Sequence, residues 1–324
     1  MSWEVLLLAD PSPSLRLLVL RELLGRPAED LEVQELAALR EGELLVAGLL
    51  SRQREDGSWE PDGVLGPLNQ HPLRATAQAL ARLGYLGLGP AHPAVGRAAE
   101  YLFFYQQEDG GWPLLAAHEL DGAPAADVVQ APLQTALPLG ALALAGYATD
   151  PRCERAYEQL LTQRLEDDAW PTGTASGTLR RVGGYRRLAH SRWGCRSNTT
   201  AALVALARHP TRRHSPEARR ALDLLLGRET REAHTLGFEA ARLLGIEPAR
   251  GFLTYYARFD LGLILDLAWR VGATLEDARL AEAVAFVRSL RGPYGLWEYP
   301  ARRQAARWVT FDLLRSLSRL EGEG

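Results

Sequence analysis

Two kinds of helical pattern alternate along the chain. In the first kind, such as residues 94–106 and 152–163, apolar residues recur every three or four positions and the opposite face is charged. In the second kind, small and apolar residues lie on nearly all sides, which predicts a buried helix. Because runs that alternate with a period of two are scarce, the sequence predicts an all-α protein. Buried helices are expected at residues 72–83, 132–145, 198–207, 235–244, 260–271 and 309–320, and further outer helices at 14–24 and 31–52.

A seven-residue motif stands between the two kinds of helix. Residues 53–59 read Gln-Arg-Glu-Asp-Gly-Ser-Trp, residues 106–112 read Gln-Gln-Glu-Asp-Gly-Gly-Trp, and weaker copies end at Trp170 and Trp297. The Asp-Gly pair predicts a turn that accepts a positive φ, and the glutamine can reach loop backbone. The tryptophan covers apolar surface and has an indole N–H to donate. The residues expected to fix the helices in this way are Gln53, Asp56, Gly57, Trp59, Gln106, Asp109, Gly110, Trp112, Trp170 and Trp297.

Each repeat unit is therefore an outer helix, the motif, a loop and an inner helix, over about 50 to 65 residues. About five or six such units would bury one another's faces, in an array that either stays open or closes on itself. The spacing of the tryptophans leaves room for one copy lost near residue 230. We expect one domain over residues 31–324, with residues 1–30 as a helical extension packed on it.

The motif resembles the glutamine–tryptophan repeat of the squalene–hopene cyclases, which reads Q-x-x-D-G-[SG]-W after an outer helix. In looser form it is similar to the repeat of protein prenyltransferase β subunits. The resemblance covers about residues 30–320 and is strongest at the copies that end at Trp59 and Trp112. It implies an α/α toroid, in which inner helices surround a central apolar cavity and outer helices encircle them. Toroids of this kind include cyclases, transferases and proteins without catalysis, so the fold alone does not decide the activity.

The resemblance to cyclases implies a catalytic acid, the middle aspartate of D-x-D-D-T-A at the start of an inner helix. Alignment on Thr-Ala places this motif at Thr76, Thr135 and Thr200, and none of the three positions is preceded by the acid. Asp260 and Asp312, each expected near the start of a later inner helix, are the candidates for a replacement acid. An aspartate at such a place is also typical of an N-cap. Whether the chain is an enzyme therefore stays open.

The resemblance to prenyltransferases implies a zinc ion held by an aspartate and a cysteine two residues apart and by a later histidine. Here Trp193 stands two residues before Cys195, so the pair is not matched. The candidate ligands are Cys195, His190 and His234, which form a poor zinc pattern. The simpler interpretation is that Cys195 is a small buried residue. We predict no metal and no other cofactor.

Arginines concentrate in the long loop at residues 171–196. The chain contains no lysine, so arginine supplies its permanent side-chain cations. The topology places the starts of the inner helices at one mouth of the toroid, where their unpaired N–H groups favour an anion. Guanidinium groups match phosphate geometry, so we expect a mouth that binds a diphosphate or another anionic head, although a solvated loop gives the same pattern. The candidates at the mouth are Arg180, Arg181, Arg186, Arg187, Arg192, Arg196, Arg303 and Arg307. The candidates on the cavity wall are His71, Gln134, Tyr255 and Trp308.

The composition restricts the classes of partner and the cellular location to be expected. A formal net charge of −3 and a pI near 6.2 argue against a nucleic-acid binder. The two cysteines fit a reducing compartment. No apolar run approaches the roughly 20 residues of a membrane span, and the first residues lack the features of a secretory signal. We expect a cytoplasmic protein.

Three interpretations of the function follow from these patterns. The first is a terpenoid-cyclase- or prenyltransferase-like toroid that binds an isoprenoid or another amphiphile in its cavity. The second is a helical-repeat scaffold without catalysis that binds a protein partner. The third is an active terpene cyclase or prenyltransferase with a non-standard acid. Peripheral contact with a membrane is compatible with all three, while a nucleic-acid partner and a membrane span are not expected.

Overall fold

The computed structural model describes residues 3–61, 71–112, 131–175, 178–179, 181–228, 234–248, 255–300 and 302–322. Helices dominate these residues, so the predicted all-α class is confirmed. The helices are α1 (Trp3–Leu8), α2 (Pro13–Leu18), α3 (Leu31–Arg40), α4 (Leu44–Leu50), α5 (Pro72–Tyr85), α6 (Pro93–Phe104), α7 (Pro132–Leu142), α8 (Pro151–Thr162), α9 (Arg196–Leu206), α10 (Pro216–Leu226), α11 (Phe238–Leu243), α12 (Leu261–Arg270), α13 (Ala278–Ser289) and α14 (Ala306–Leu320).

The shorter elements are strands of two residues and single helical turns. β1 (Thr174–Ala175) pairs with β2 (Thr178–Leu179) in antiparallel fashion. The other strands are β3 (His234–Thr235) and β4 (Phe259–Asp260). The π-helical turns Val19–Leu23 and Ala143–Tyr147 continue α2 and α7, and 3₁₀ turns form at Gly184–Arg186, Arg212–His214 and Arg303–Ala305.

The first residues of the outer helices explain where those helices begin. The side chains of His92, Asp150 and Ser215 each accept a hydrogen bond from a backbone N–H in the first turn of α6, α8 and α10. Each of the three is followed by proline, whose missing N–H would have no helical partner at that position. This repeated cap is visible in the sequence as a polar residue followed by proline, and it marks the start of each of these outer helices.

Compact packing divides the chain into two units. The central unit comprises Gln53–Ala233 and Pro248–Phe259, and the terminal unit comprises Met1–Arg52, His234–Glu247 and Asp260–Gly324. These units do not follow the boundary expected at residue 30, and the prediction of one domain over residues 31–324 stays a prediction.

Buried inner helices and half-exposed outer helices form the central unit. Every residue of α7 and α9 is buried, and α7 packs against both α5 and α9. Their outer partners α6, α8 and α10 bury one face and expose the other. The predicted alternation of inner and outer helices is therefore present in this unit, because the sequence contrast between the two kinds of helix sets their burial.

In the terminal unit, the last helix is central to the packing. α14 packs against α12, α11 and the π-helical turn that ends α2, and α2 packs against α3. Within the described ranges, no helix combines the length and the apolar character that crossing a membrane requires.

The expectation of a single helix over residues 31–52 is wrong. The chain leaves the helical conformation between α3 and α4, where Glu43 adopts extended dihedral angles before α4 begins. The Glu43 carboxylate accepts hydrogen bonds from the Ser12 hydroxyl at 2.5 Å and from the Ser14 backbone N–H at 3.1 Å. These contacts come from a distant part of the chain, so the local helical pattern could not reveal the break.

The predicted inner helix at residues 235–244 is shorter than expected. Gly237 has a φ of +75°, so the helical conformation begins only at Phe238. The Gly237 N–H is held by the Asp260 carboxylate at 2.7 Å. Any Cβ at Gly237 would collide with the side chain of Val309, so this close approach also requires glycine.

Candidate functional site

The tryptophans of the repeat attach each motif to the outer helix before it. The indole N–H groups of Trp112, Trp170 and Trp297 each donate to the backbone carbonyl oxygen ten residues earlier. All three side chains are fully buried, as is that of Trp59. The acceptors are Leu102, Leu160 and Val287, at 2.7, 2.8 and 2.7 Å.

The same motifs contact the following inner helix through a threonine. The backbone N–H groups of Trp59, Trp170 and Trp297 donate to the hydroxyl oxygens of Thr76, Thr199 and Thr310 at 3.1, 3.0 and 2.9 Å. The structural equivalent of Thr76 in the third repeat is therefore Thr199, and the alignment on Thr200 is wrong by one residue.

The corrected register does not restore the catalytic acid of the cyclases. In D-x-D-D-T-A the carboxylates stand four, two and one residues before the threonine. Counted from Thr199, these positions hold Cys195, Ser197 and Asn198. The inner helix of the third repeat thus presents a thiol, a hydroxyl and an amide where a cyclase would present carboxylates.

The glutamine of the motif joins successive repeats. Gln53 donates from its amide nitrogen to the carbonyl oxygens of Gly57 at 3.1 Å and Ala94 at 2.8 Å, the second of which lies in the next outer helix. Gln106 makes the same pair of contacts, with Gly110 and Arg152, each at 2.9 Å.

The aspartates of the motif fix the turn. Asp56 and Asp109 accept from the backbone N–H groups of Ser58 and Gly111 at 3.0 and 2.9 Å. Each therefore closes the turn that leads into its tryptophan.

The third repeat replaces the glutamine with Arg164. Its guanidinium group lies 3.4 Å from the carboxylate of Glu217, in the first turn of the next outer helix, and 3.3 Å from Asp168. Asp168 itself has a φ of +68° and takes the place of the motif glycine. The degenerate copy thus keeps the contact between repeats but makes it ionic.

The arginines of the predicted mouth differ in their exposure, and their role in binding an anion stays a prediction. Arg181, Arg187 and Arg192 are exposed, Arg186 is half-buried, and Arg196 is buried as the first residue of α9. Arg180 lies outside the described residues. The loop itself is held in place rather than freely solvated, because it contains backbone bridges from Pro171 to Gly194 and from Arg187 to Cys195.

Several polar groups converge at the start of α9, and we call them the α9 site: Arg196, Ser197, Asn198, Thr172 and the pair Tyr255–Tyr256. The Asn198 amide nitrogen donates to the carbonyl oxygens of Pro171 at 2.5 Å and Thr172 at 3.0 Å. The Ser197 hydroxyl accepts from the backbone N–H of Tyr256 at 3.2 Å. These contacts place residues 171–172 and the backbone of Tyr256 at the start of α9, whose first residue is Arg196.

Two buried oxygen atoms of the α9 site lack hydrogen-bond partners. Among the described residues, nothing donates to the amide oxygen of Asn198, and the hydroxyl of Thr172 makes no hydrogen bond. Both side chains are buried. A buried polar atom without a partner costs about 1–3 kcal/mol, which a bound polar group would offset.

Two guanidinium groups belong to residues at or close to the start of α9. The start of a helix carries partial positive charge from its unpaired N–H groups, and the buried guanidinium group of Arg196 adds a full charge. A second guanidinium, that of Arg186, lies 3.9 Å from the sulfur of Cys195, the residue before α9. The rings of Tyr255 and Tyr256 meet edge to face at 4.9 Å beside it. The site can therefore hold an anionic group next to an aromatic surface.

A separate cavity of about 700 Å³ lies along α8 in the central unit. Its polar side chains come mainly from α8, and its apolar wall includes Leu165, Pro171 and Leu179. Pro171 thus lines this cavity while its carbonyl oxygen accepts from Asn198 of the α9 site.

His71 and Gln134, both predicted to line a ligand cavity, cap their own helices. The Nδ1 atom of His71 accepts from the backbone N–H of Leu73 at 3.3 Å at the start of α5. The amide oxygen of Gln134 accepts from the backbone N–H of Ala131 at 2.7 Å at the start of α7. Their role as ligand-binding residues stays a prediction.

Asp260, the first candidate acid, is the N-cap of α12 and joins it to α11 in the terminal unit. Its carboxylate accepts from the backbone N–H groups of Gly237 at 2.7 Å, Glu239 at 2.6 Å and Gly262 at 3.2 Å. Burial raises the pKa of Asp260 to about 7, against the lowering effect of the backbone hydrogen bonds. Its role as a replacement acid stays a prediction, and the observed contacts are those of a helix cap.

Asp312, the second candidate acid, does not lie near the start of its helix as expected. α14 begins at Ala306 rather than at residue 309, so Asp312 falls in the second turn. Its carboxylate pairs with Arg315 at 2.9 Å, and Arg315 also approaches Glu22 at 3.3 Å and Asp266 at 3.6 Å. Asp312 is therefore part of an ion network.

The remaining ligand candidates of the terminal unit lie in different environments. Arg307 pairs with Asp10 at 2.9 Å, Arg303 is exposed, and Trp308 is buried. None of these contacts tests a role in ligand binding, which stays a prediction.

The candidate zinc ligands are not brought together. Cys195 is buried, His190 is exposed with its ring near Gly227, and the ring of His234 contacts that of Phe286 at 4.9 Å in the terminal unit. Over the described ranges, no group of three or more histidine, cysteine, aspartate or glutamate side chains could hold a metal ion.

The α9 site also contains residues that the sequence analysis did not single out. Asn198 and Thr172 lie 26 residues apart, and nothing in the local pattern marks either of them. The only available signal was the position of Asn198 directly before the threonine that contacts the motif, and the register error at Thr200 concealed it.

The described repeats define a class of helical-repeat protein in which buried tryptophans fix outer helices to inner helices. The sequence model of the squalene-hopene cyclase C-terminal domain matches residues 31–182, just under half of the chain. This match confirms the predicted resemblance to squalene–hopene cyclases over those residues. It also supports the predicted α/α toroid, which is the architecture of that family. No curated protein sequence matches the chain.

Solved structures with similarity to the whole chain include type II terpene cyclases. The enzyme MstE from Scytonema is 15% identical over 96% of this chain and 88% of its own, with a TM-score of 0.48. A variant of MstE in complex with geranylgeranyl dihydroxybenzoate is 15% identical over 96% and 87%, with a TM-score of 0.49. A protein from Actinoplanes is 16% identical over 95% and 90%, with a TM-score of 0.46. At these identities the similarities say nothing about the activity of this chain.

Proposed function

We propose that the protein binds an isoprenoid or a similar amphiphile whose anionic head occupies the α9 site. The observation that carries the proposal is a pair of buried oxygen atoms, of Asn198 and Thr172, that have no hydrogen-bond partner among the described residues and lie at the start of a helix whose first residue is the buried Arg196. A cytoplasmic location is part of this proposal and rests on the sequence alone.

The charges of the α9 site support an anionic head. An anion at the start of α9, whose first residue is Arg196, would face the N-terminal N–H groups of that helix. Arg186 adds a second guanidinium group at the residue before the helix. A diphosphate can accept hydrogen bonds from both groups in a bidentate manner.

The unpartnered atoms and the aromatic pair specify the head further. The amide oxygen of Asn198 can only accept a hydrogen bond, so the head needs a protonated oxygen or an ordered water there. The Thr172 hydroxyl can donate to the head or accept from it. Tyr255 and Tyr256 supply an apolar surface next to the polar groups, as the first carbons of a prenyl tail would require. The match to a squalene-hopene cyclase model over residues 31–182 supports a terpenoid tail.

The proposal is binding and contains no catalytic step. The positions that correspond to the acid motif hold Cys195, Ser197 and Asn198 in the third repeat, and Asp260 is occupied by helix-end N–H groups on both oxygens. A protein-binding scaffold and a cyclase with a non-standard acid stay as predictions, because no described contact favours either over binding.

Isothermal titration calorimetry with three probes tests the proposal. Farnesyl diphosphate is expected to bind more tightly than farnesol, which lacks the anionic head, and than inorganic diphosphate, which lacks the tail. The affinity for farnesyl diphosphate is expected to fall with added salt, because the head is held by charge.

Two arginine variants give a matched comparison. Arg186→Ala is expected to weaken farnesyl diphosphate binding about tenfold, because a charge-assisted hydrogen bond is lost. Arg192→Ala removes an exposed guanidinium of the same loop, which stacks on Trp193, and is expected to leave the affinity unchanged. Equal affinities of the two variants, or no preference for farnesyl diphosphate over farnesol, would contradict the proposal.

A further inference from the structure

The cavity along α8 differs in chemistry from the α9 site. It has a volume of about 700 Å³, within the range of roughly 300–1,000 Å³ that is usual for small-molecule sites. Its lining combines apolar residues, among them Leu165, Pro171 and Leu179, with polar residues, among them Arg155 and Gln159 of α8 and Gln163 directly after it. A ligand there would have one apolar face and several hydrogen-bonding groups on its edge.

Of two amides that line the cavity, Gln159 on α8 and Gln163 directly after it, only the first is oriented by a hydrogen-bond partner among the described residues. The amide oxygen of Gln159 accepts from the Thr135 hydroxyl at 2.7 Å, which fixes the orientation of the group. Because its oxygen is engaged, the nitrogen of Gln159 is the atom that can donate to a ligand. The side chain of Gln163, the residue directly after the end of α8, makes no hydrogen bond among the described residues, and its amide oxygen is buried without a donor. This amide gains by turning towards a ligand that can donate a hydrogen bond.

The charges around the cavity balance one another. Arg164 is paired with Asp168 and Glu217, and Glu158 is paired with Arg212 at 2.5 Å. The other two charged residues of the lining, Asp109 and Arg155, are of opposite sign. A cavity without excess charge does not select an anion such as a diphosphate, since nothing would repay the desolvation of the ligand charge.

We propose that this cavity binds an uncharged ring that carries several hydroxyl groups, such as a monosaccharide unit. The hydroxyls of such a ring both donate and accept, which matches the Gln163 oxygen, the Gln159 nitrogen and the Arg155 guanidinium group. The apolar C–H face of the ring packs on the wall formed by Leu165, Pro171 and Leu179. The site is independent of the proposed amphiphile site, because none of these polar groups belongs to the α9 site.

Saturation-transfer difference NMR with glucose, N-acetylglucosamine and myo-inositol tests the proposal on the full chain. Transfer of magnetisation to the ring protons of at least one of the three is expected. No transfer to any of them would overturn the proposal. Addition of farnesyl diphosphate is expected to leave the sugar signal unchanged, since the two ligands occupy different sites.

Two variants at the cavity and one away from it locate the binding. Gln163→Leu removes the amide at nearly constant volume and is expected to weaken sugar binding about tenfold. Arg155→Ala, at an exposed position where folding is not at risk, is expected to weaken it as well. Gln34→Leu makes the matched change on the exposed face of α3 and is expected to bind as the unmodified protein does.

The outcomes also separate this proposal from the amphiphile proposal. Unchanged sugar binding in both Gln163→Leu and Arg155→Ala would overturn the cavity site and leave the α9 site untouched. Loss of farnesyl diphosphate binding in Arg186→Ala, with sugar binding retained, is the expected pattern if both proposals are correct.

Discussion

Gly110 shows at the residue scale why the motif requires glycine. Its φ is +93°, and a Cβ atom at this position would lie 2.6 Å from the carbonyl oxygen of Arg155 in the next outer helix. Both the backbone conformation and the close approach therefore exclude a side chain. In the third repeat, Asp168 takes the same conformation with a φ of +68°, which aspartate tolerates better than most residues.

The substitution Gly110→Ala is expected to destabilise the protein by at least about 1–3 kcal/mol, because the new methyl group collides with backbone that cannot move freely. Gly96→Ala is the matched control, since Gly96 lies within α6 with open space around its Cβ position. That variant is expected to be neutral or to gain up to about 1 kcal/mol from helix propensity. The free energy of unfolding in urea measures both, and equal values for the two variants would contradict the explanation.

Asp260 makes a residue-scale prediction about pH. Burial raises its pKa in the folded protein to about 7, above the ordinary value of 3.8. A carboxyl group with a raised pKa binds its proton more tightly in the folded state, so its contribution to stability is complete below about pH 4. That contribution is lost as the pH rises through 7.

Raising the pH from 4 to 7 is therefore expected to lower the unfolding free energy of the unmodified protein relative to that of the Asp260→Asn variant. The shift is on the order of a few kcal/mol and levels off above pH 7. Asp277→Asn is the control, because the pKa of Asp277 is shifted in the opposite direction from that of Asp260. Hydrogen bonding to Arg279 lowers the pKa of Asp277 to about 2, so its effect is confined to acid pH. A pH-independent difference for Asp260→Asn would show that the carboxyl group stays ionised.

At the scale of the element, the tryptophan motif joins three helices. The indole of Trp112 donates to the outer helix α6, while the adjacent Gln106 reaches Arg152 in the next outer helix, α8. Trp59, Trp170 and Trp297 add contacts to inner helices through threonine hydroxyls. The motif therefore holds the helices of successive repeats at fixed positions.

Trp112→Ala is expected to lower the unfolding free energy by about 3–5 kcal/mol, because it removes a fully buried ring together with the indole N–H that donates to the Leu102 carbonyl oxygen. Trp193→Ala, at a half-buried position in the loop before α9, is expected to cost clearly less. Urea denaturation followed by circular dichroism measures both changes. Similar losses in the two variants would mean that the motif tryptophan has no special structural role.

Some helix boundaries could be predicted from the local sequence pattern, and others could not. The inner helices α5, α7 and α9 begin within two residues of the predicted starts, because burial on all sides is written into their composition. The break between α3 and α4 was not predictable, since the residue that ends the pattern, Glu43, is fixed by Ser12 and Ser14 from a distant segment.

At the scale of the whole molecule, the repeats and the units follow different boundaries. The chain divides into a central unit and a terminal unit, and the terminal unit contains segments from both ends of the sequence. The squalene-hopene cyclase model matches residues 31–182, which fall in both units. The order of the repeats therefore follows from the sequence along the chain. The compact units depend instead on which distant segments pack against each other.

The candidate site was predictable only in part. The concentration of arginines before α9 predicts an anion site at the start of that helix, but it does not show that Arg181, Arg187 and Arg192 are exposed while Arg196 is buried. Charge along a sequence does not tell which guanidinium groups are buried, because burial depends on the backbone bridges that fold the loop.

The sequence by itself determined the all-α class, the order of outer and inner helices and the motif that joins them. Each of these follows from short-range periodicity and from residue types such as glycine and tryptophan whose local physical properties are strong. Only the tertiary structure decided that Asp260 caps two helices, that Thr199 rather than Thr200 contacts its motif, and that Asn198 and Thr172 share one buried site. Those facts depend on contacts between segments far apart in the chain, and hydrogen bonds of that kind leave no periodic trace in the sequence.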